Sequence, residues 1–271
     1  MRIAIFSDVH SNVDAFNVAL KDAREVKNVD KVVCLGDVCG YGPDPLGSID
    51  VVRKNCDFTI MGNHDAGITG KLYLSWFGDT AKNQIVRQMP IVSSDKDKFK
   101  WLSSLPYTKK IEVDGCKIEF AHGTIGLPKE FEYITCPAES YFAFKKMNEE
   151  DVDILFIGHT HEAMVLEFNT REWNDDGMSF YKFYPKDTYV RQDSVFTIDN
   201  GKRYIFNAGS IGYPRCQHNT VYCILDTEKR TVEYRFLQFD FDLYVKKMEA
   251  EGIYIPRWLD DFMEERSYGA K

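Results

Sequence analysis

No two of the seven cysteines in this 271-residue chain, Cys34, Cys39, Cys56, Cys116, Cys136, Cys216 and Cys223, stand in a C-x-x-C spacing. The metal and dithiol motifs built on that spacing are therefore absent, and the odd count does not fit a disulfide framework. The thiols read as small apolar core residues in a reducing cytoplasm. A long hydrophobic run is also missing. Met1-Arg2 leads straight into Ile3-Ala4-Ile5-Phe6 and then Ser7-Asp8, too short a stretch for a signal peptide or a membrane span. Basic residues are outnumbered, 34 against 42 acidic, for a formal charge of −8, which gives no support for an extended basic groove along a nucleic-acid backbone. Repeats, low-complexity stretches and long polar linkers are lacking too, so one domain over residues 1–271 is expected, with a helical insertion at about 71–106 and a C-terminal helical extension at about 240–266. What remains is an ordinary globular composition, 44% hydrophobic and 28% charged, with enough apolar residues for a substantial core.

The first third reads as strand, loop, helix, strand in repetition. Residues 2–6 predict a buried strand, Asn12 a helix cap, and Phe16, Ala19, Leu20 and Ala23 an apolar helix face. Residues 31–35 predict a second strand ending at Gly36-Asp37. Asp44-Pro45 then supplies a cap and a first-turn proline for a helix to about Asn55. A third strand over 58–61 ends at Gly62-Asn63-His64-Asp65. The segment 71–106 reads as helical and surface-facing, anchored by Trp76, Phe77, Trp101 and Leu102. Asp114-Gly115 marks a hairpin between strands at 108–113 and 116–121. A helix over 137–148 and a strand over 153–157 follow. Strands near 163–168, 178–184, 194–198, 203–206, 220–226 and 231–238 predict an antiparallel second half. Asp240 caps a helix closed by Gly252, and Pro256 opens a further short one.

Against this background, five of the six histidines fall in short motifs that close strand-like runs: Asp8-x-His10, Gly36-Asp37, Gly62-Asn63-His64-Asp65, Ala121-His122-Gly123 and Gly158-His159-Thr160-His161. His218 lies outside them and reads as a surface residue. Histidine, aspartate and asparagine are N/O ligands suited to Mn, Fe, Zn, Ni or Mg, and strand carboxyl ends are where α/β sheets carry chemistry. A two-metal hydrolytic site needs about seven ligands and one bridging carboxylate, holding the ions ~3.5–4 Å apart so that a bridging hydroxide can attack. The chain supplies them: Asp8, His10, Asp37 and His161 for one ion, and Asp37, Asn63, His122 and His159 for the other, with Asp37 shared. Two divalent cations, two carboxylates and a hydroxide leave a net charge of about +1, which attracts a phosphate ester. His64 would sit beside the ions, placed to protonate a leaving oxygen or stabilise phosphoryl charge. Tyr41 and Arg215 are candidate substrate contacts, by stacking and by forking to phosphate. Cys39 reads as a packed thiol.

The order D-x-H, GD, GNHD, HG, GHTH resembles the calcineurin-like metallophosphoesterase superfamily, and Asn207-Ala208-Gly209-Ser210 resembles a further turn of that family. The resemblance implies an α/β fold, a four-layer α/β/β/α sandwich of two mixed sheets with a dinuclear metal centre at one edge. The stretches 36–45 and 209–215 look like a prokaryotic phosphodiesterase subgroup that includes diadenosine tetraphosphatase-like proteins. One departure matters. Where the protein phosphatases of this superfamily carry GDxVDRG, whose Asp supports the catalytic histidine and whose Arg grips phosphate, this chain has Gly40 and Tyr41. The resulting expectation is a cytoplasmic phosphodiesterase or nucleotide pyrophosphohydrolase acting on a small phosphorylated or nucleotide substrate, with no membrane partner. A phosphomonoesterase and a non-catalytic metal-binding module are the alternatives. Completeness of the ligand set favours catalysis.

Overall fold

A computed structural model of the chain describes residues 1–170, 186–213, 215, 219–253 and 255. Strand β1 (Arg2–Phe6) shows how its sequence makes a central strand. Alternate side chains point to opposite faces. Ile3 and Ile5 enter an apolar layer between two sheets, whereas Ala4 and Phe6 enter a second layer beneath helices. A strand covered on both faces needs a continuous apolar run rather than alternation, and that is what residues 3–6 provide.

β1 pairs in parallel with β2 (Lys31–Cys34), which pairs in parallel with β3 (Phe58–Thr59). The hairpin β4 (Thr108–Val113) and β5 (Cys116–Ala121) turns at Asp114-Gly115, both with positive φ. β5 runs parallel to β6 (Ile154–Ile157). The remaining strands are β7 (Ala163–Asn169), β8 (Lys186–Tyr189), β9 (Ser194–Thr197), β10 (Lys202–Ala208), β11 (Asn219–Asp226) and β12 (Thr231–Gln238). They complete two mixed six-stranded sheets, ordered β3-β2-β1-β11-β12-β9 and β4-β5-β6-β10-β7-β8.

Helices cover the outer faces. α1 (Val13–Lys21), α2 (Pro45–Asn55), α4 (Asp79–Ser94), α5 (Lys96–Ser103) and α7 (Phe241–Ala250) contribute to the apolar layer on the first sheet, and α6 (Tyr141–Glu149) to that on the second. A short helix, α3 (Asn63–Ile68), starts where β3 ends. The expected caps are in place: Asn12, Asp44 and Asp240 accept from the backbone N–H of Ala15, Gly47 and Leu243. The four-layer α/β/β/α sandwich is the architecture of the chain. No described helix is long and apolar enough to cross a membrane.

Three expectations need correction or a boundary. The second half is not one antiparallel sheet: β11 joins the first sheet beside β1, and β10 enters the second sheet parallel to β6 and antiparallel to β7. Period-2 patterning announces strands but carries no information about partners that are 33 to 224 residues away. The segment 71–106 is not merely surface-facing. Ile85, Gln88, Val92 and Leu102 are buried, whereas Trp76, expected as an anchor, is 58% exposed. β8 was not anticipated. The strand expected at 178–184, the helix after Pro256 and His218 lie outside the described residues.

The buried Asp22, where α1 ends, ties this helix layer to the sheet. Its carboxylate accepts from Tyr222 Oη (2.6 Å) on β11 and from both Arg235 Nε (3.0 Å) and Arg235 Nη2 (3.1 Å) on β12. Burial pushes the pKa of Asp22 up, but the Arg235 fork and the tyrosine hydroxyl outweigh it and leave the carboxyl below its usual range. A depressed carboxylate pKa stabilises the fold fully above the unfolded value near ~3.9, and that contribution is lost as pH falls through the lower folded value. Asp22→Asn is therefore expected to cost about 1–2 kcal/mol at pH 7, allowing for partial solvent screening. The gap from wild type in denaturant melts should shrink below about pH 3. An unchanged gap at acid pH would assign the loss to packing instead.

Candidate metal centre

The expected site residues come from loops at the carboxyl ends of parallel strands. Asp8 and His10 follow β1, Asp37 follows β2, Asn63 and His64 follow β3, His122 follows β5, and His159 and His161 follow β6. β1, β2 and β3 run parallel within one sheet, as do β5 and β6 within the other, and the five segments that follow them bring these residues together at one edge of the sandwich. The chain turns sharply there. Asp8, His10, Asp37, His159 and His161 all have φ between 47° and 67°. The left-handed region costs a non-glycine residue roughly 1–2 kcal/mol, least for Asp, Asn and His. The strain is held by loop hydrogen bonds, such as Asp8 N–H to Gly36 O (3.1 Å) and His10 N–H to Asp37 O (2.8 Å).

Two buried donor groups result: Asp8, His10, Asp37 and His161, and Asp37, His122 and His159. Asn63 joins the second, its Oδ1 3.1 Å from His122 Nε2. Three imidazoles turn Nδ1 toward a main-chain carbonyl: His10 to Cys39 (3.2 Å), His122 to Leu35 (2.8 Å) and His161 to Tyr213 (2.7 Å). With Nδ1 as the donor, each Nε2 is turned inward, the usual orientation control for metal-ligating histidine. For His122, burial is outweighed by Asp37 and Asp8, which raise its pKa to about 9, so a cation binding there would displace a proton. The Nε2 atoms of His10 and His161 lie 2.9 Å apart. Asp8 Oδ1 is 3.1 Å from His161 Nε2, and Asp37 Oδ2 is 3.6 Å from His10 Nε2 and 3.4 Å from His122 Nε2. Both carboxylate oxygens are buried and accept no hydrogen bond.

Such a convergence of acceptors on one another is costly in a protein interior unless cations sit among them. The residues present therefore fit divalent metal ions. Asp8 and Asp37 stay ionised: burial pushes each pKa up, but the neighbouring histidines, led by His161 for Asp8 and His122 for Asp37, bring both well below the usual range. His159 and His161 are pulled down by burial to about 3 and about 4, so they offer neutral nitrogens.

His64 lies beside both groups. Its main-chain N–H donates to Asp37 Oδ1 (2.8 Å), its ring packs against His10 and Tyr41, and its buried Nδ1 has no partner. Gly40 explains why no acid supports it. A Cβ there would lie 2.3 Å from His10 Nδ1 and 3.0 Å from His64 Nδ1, so the space that an aspartate side chain would need is filled by the two rings. The residue expected to stack on substrate, Tyr41, is only 8% exposed and is itself stacked on Tyr213, ring centroids 4.1 Å apart. Cys39 is a packed thiol, its Sγ directed at Pro45 O.

Three contributors escaped sequence reasoning. Ser7 Oγ donates to Asp8 Oδ2, fixing that carboxylate. Asp65, inside a recognised motif but given no role, accepts from the N–H groups of Val38 (3.3 Å), Cys39 (3.1 Å) and Gly62 (3.2 Å), tying the Asp37 loop to the Asn63 loop. Gln88, fully buried on α4, has Oε1 accepting from Gly40 N–H (2.8 Å), while its Nε2 donates to the carbonyls of Gly40 and Gly42. The signal for Gln88 was available: Ile85, Gln88 and Val92 share a helix face, and an amide on an apolar stripe must find partners.

Above the centre opens a cleft of about 560 Å³, floored by Tyr41, Asn63, His64 and His159. Leu72, Trp76, Phe77, Phe131 and Tyr133 also line it. Tyr133 lies flat on His159, ring centroids 4.0 Å apart, and is 47% exposed. Arg215 lines the cleft as expected, interacting with the hydroxyls of Tyr41 and Tyr133.

This geometry has counterparts. The family model described as the calcineurin-like phosphoesterase superfamily domain matches residues 1–230. An uncharacterized protein of Methanocaldococcus jannaschii is 29% identical over 262 residues, 96% of each chain. The crystal structure of a metallophosphoesterase from Sphaerobacter thermophilus superposes with a TM-score of 0.77 at 27% identity, over 96% of this chain and 97% of that one. A hypothetical protein from Pyrococcus horikoshii shares the fold with a TM-score of 0.71 at 16% identity, over 96% of both chains. Match and fold together establish that the chain belongs to the calcineurin-like phosphoesterase superfamily and is a metal-dependent hydrolase of phosphoester bonds.

Proposed function

We propose that the chain is a two-metal phosphodiesterase or nucleotide pyrophosphohydrolase, with Asp8, His10, Asp37 and His161 holding one ion and Asp37, Asn63, His122 and His159 the other. The observation that carries this reading is the pair of buried carboxylate oxygens, Asp8 Oδ1 and Asp37 Oδ2, that accept no hydrogen bond and are ringed by imidazole nitrogens. Divalent ions bound there would supply Lewis-acid activation of water and neutralise phosphoryl charge. Manganese, iron, zinc, nickel and magnesium all suit the mixed N/O donor set. The protein orients the reaction. Leu35, Cys39 and Tyr213 carbonyls aim three histidines, and the Asp37 contact to His64 N–H locks that residue on the cleft floor. Burial pulls the His64 pKa down to about 3 and keeps the ring neutral, so from there its N–H can donate a hydrogen bond to a phosphoryl or leaving oxygen, while the cleft takes the rest of the ester.

The test is hydrolysis of bis(p-nitrophenyl) phosphate against p-nitrophenyl phosphate by metal-stripped protein reloaded with each metal in turn. Diester preference is expected. Monoester preference would make the protein a phosphomonoesterase, and failure to turn over either with metal bound would leave a narrow-specificity enzyme or a non-catalytic interaction module. His64→Ala should lower turnover about 10²–10³-fold while keeping wild-type metal content. Full activity in that variant would remove His64 from the mechanism.

A further inference from the structure

We propose that the cleft selects substrates with a single charged phosphoryl group on an uncharged leaving group, and that Asp79, Glu130 and Glu132 turn away polyphosphate chains. This rests on the phosphoesterase reading above and narrows it. The floor and the walls of the cleft carry opposite electrostatics. At the floor, two divalent ions on a two-carboxylate donor set leave excess positive charge, matched to one phosphoryl group. Arg215 is the only Lys or Arg lining the cleft among the described residues. Three exposed acidic residues, Asp79, Glu130 and Glu132, line the same space.

A diester brings one negative charge, which the floor absorbs. A dinucleoside polyphosphate places several further charges along walls that offer carboxylates and a single guanidinium. Like charges confined in a cleft repel substrate, just as complementary ones attract it. The apolar part of the walls agrees. Trp76 is 58% and Tyr133 47% exposed, and the Phe77 ring packs edge-on against the His64 ring, centroids 5.6 Å apart. Exposed aromatic surface at the mouth of a polar site suits an uncharged flat group such as a nucleobase or aryl alcohol. The volume, about 560 Å³, accommodates a ligand of nucleotide size.

The experiment compares kcat/KM for thymidine 5′-(p-nitrophenyl) phosphate and for diadenosine tetraphosphate, using metal-loaded wild type and the triple variant D79N/E130Q/E132Q. Wild type is expected to prefer the thymidine ester by about 100-fold or more, and the variant to shift the ratio toward the polyphosphate by about 10-fold or more at low salt. High salt should shrink the shift. These three side chains are exposed, so folding is not at stake. Equal or greater wild-type turnover of diadenosine tetraphosphate, or an unchanged ratio in the variant, overturns the inference and leaves the phosphoesterase reading standing. Turnover of neither compound by metal-replete protein overturns both.

Discussion

Asp37→Asn is expected to abolish hydrolysis and bound metal together. Asp37 is the residue common to both donor groups. Its Oδ1 is occupied by His64 N–H, and its Oδ2 lies within 3.6 Å of His10 Nε2 and 3.4 Å of His122 Nε2. The amide is nearly the same size and can keep the Oδ1 contact, so packing survives. It removes one of two negative charges and replaces the shared oxygen with an N–H₂ that cannot ligate a cation. Loss of a mere outer partner of a metal ligand commonly costs 10–100-fold, whereas loss of a shared ligand should cost about 10³-fold or more, roughly 4 kcal/mol of transition-state stabilisation. On the two-ion reading proposed above, metal analysis after gel filtration should fall from two ions per chain to one or none. Two retained ions with wild-type turnover would rule out the bridging assignment.

The second large effect falls on a residue with no chemistry. Gly40 sits at φ 140°, a conformation that other residues rarely adopt, and an added Cβ would meet His10 Nδ1 at 2.3 Å. The loop cannot move aside, because Gln88 grips both its N–H and its carbonyl. Gly40→Ala must then displace His10, break the contact of its ring to the Cys39 carbonyl, or unseat Gln88. We expect a stability loss of about 2–4 kcal/mol and a fall in activity of about 100-fold or more, out of proportion to the small change in volume. Gly126→Ala, where the new methyl meets nothing within 4 Å, is the control and should leave both unchanged. Wild-type melting and turnover in Gly40→Ala would show that the loop is softer than its hydrogen bonds imply.

The two substitutions differ in legibility. Asp37 announces itself in Gly36-Asp37 because the chemistry of a metal ligand dictates the residue type, and the apolar run before it places it at a strand end. Gly40 is visible as a departure from a motif, but its reason is two imidazole rings contributed by residues 10 and 64. Tyr41 shows the reverse case. Its position in the motif was readable, whereas the stacked Tyr213 that occupies its ring face was not, and the exposed aromatics lining the cleft are Tyr133 and Trp76 instead.

By itself the sequence determined most of the elements and the set of Asp and His residues that the fold gathers at one edge. Each of these follows from short-range rules: apolar runs of four or five residues, caps such as Asp44, and ligand types confined to the residues that end a strand. Only the tertiary structure decided which strands are neighbours, and hence that β10 lies between β6 and β7 while β11 lies beside β1. It also brought Gln88, Asp65 and Ser7 behind the ligands, and three carboxylates into the walls of the cleft. Those contacts join residues distant in the chain through buried hydrogen bonds and shared surfaces. Their energy depends on geometry in three dimensions, and a linear pattern does not encode it.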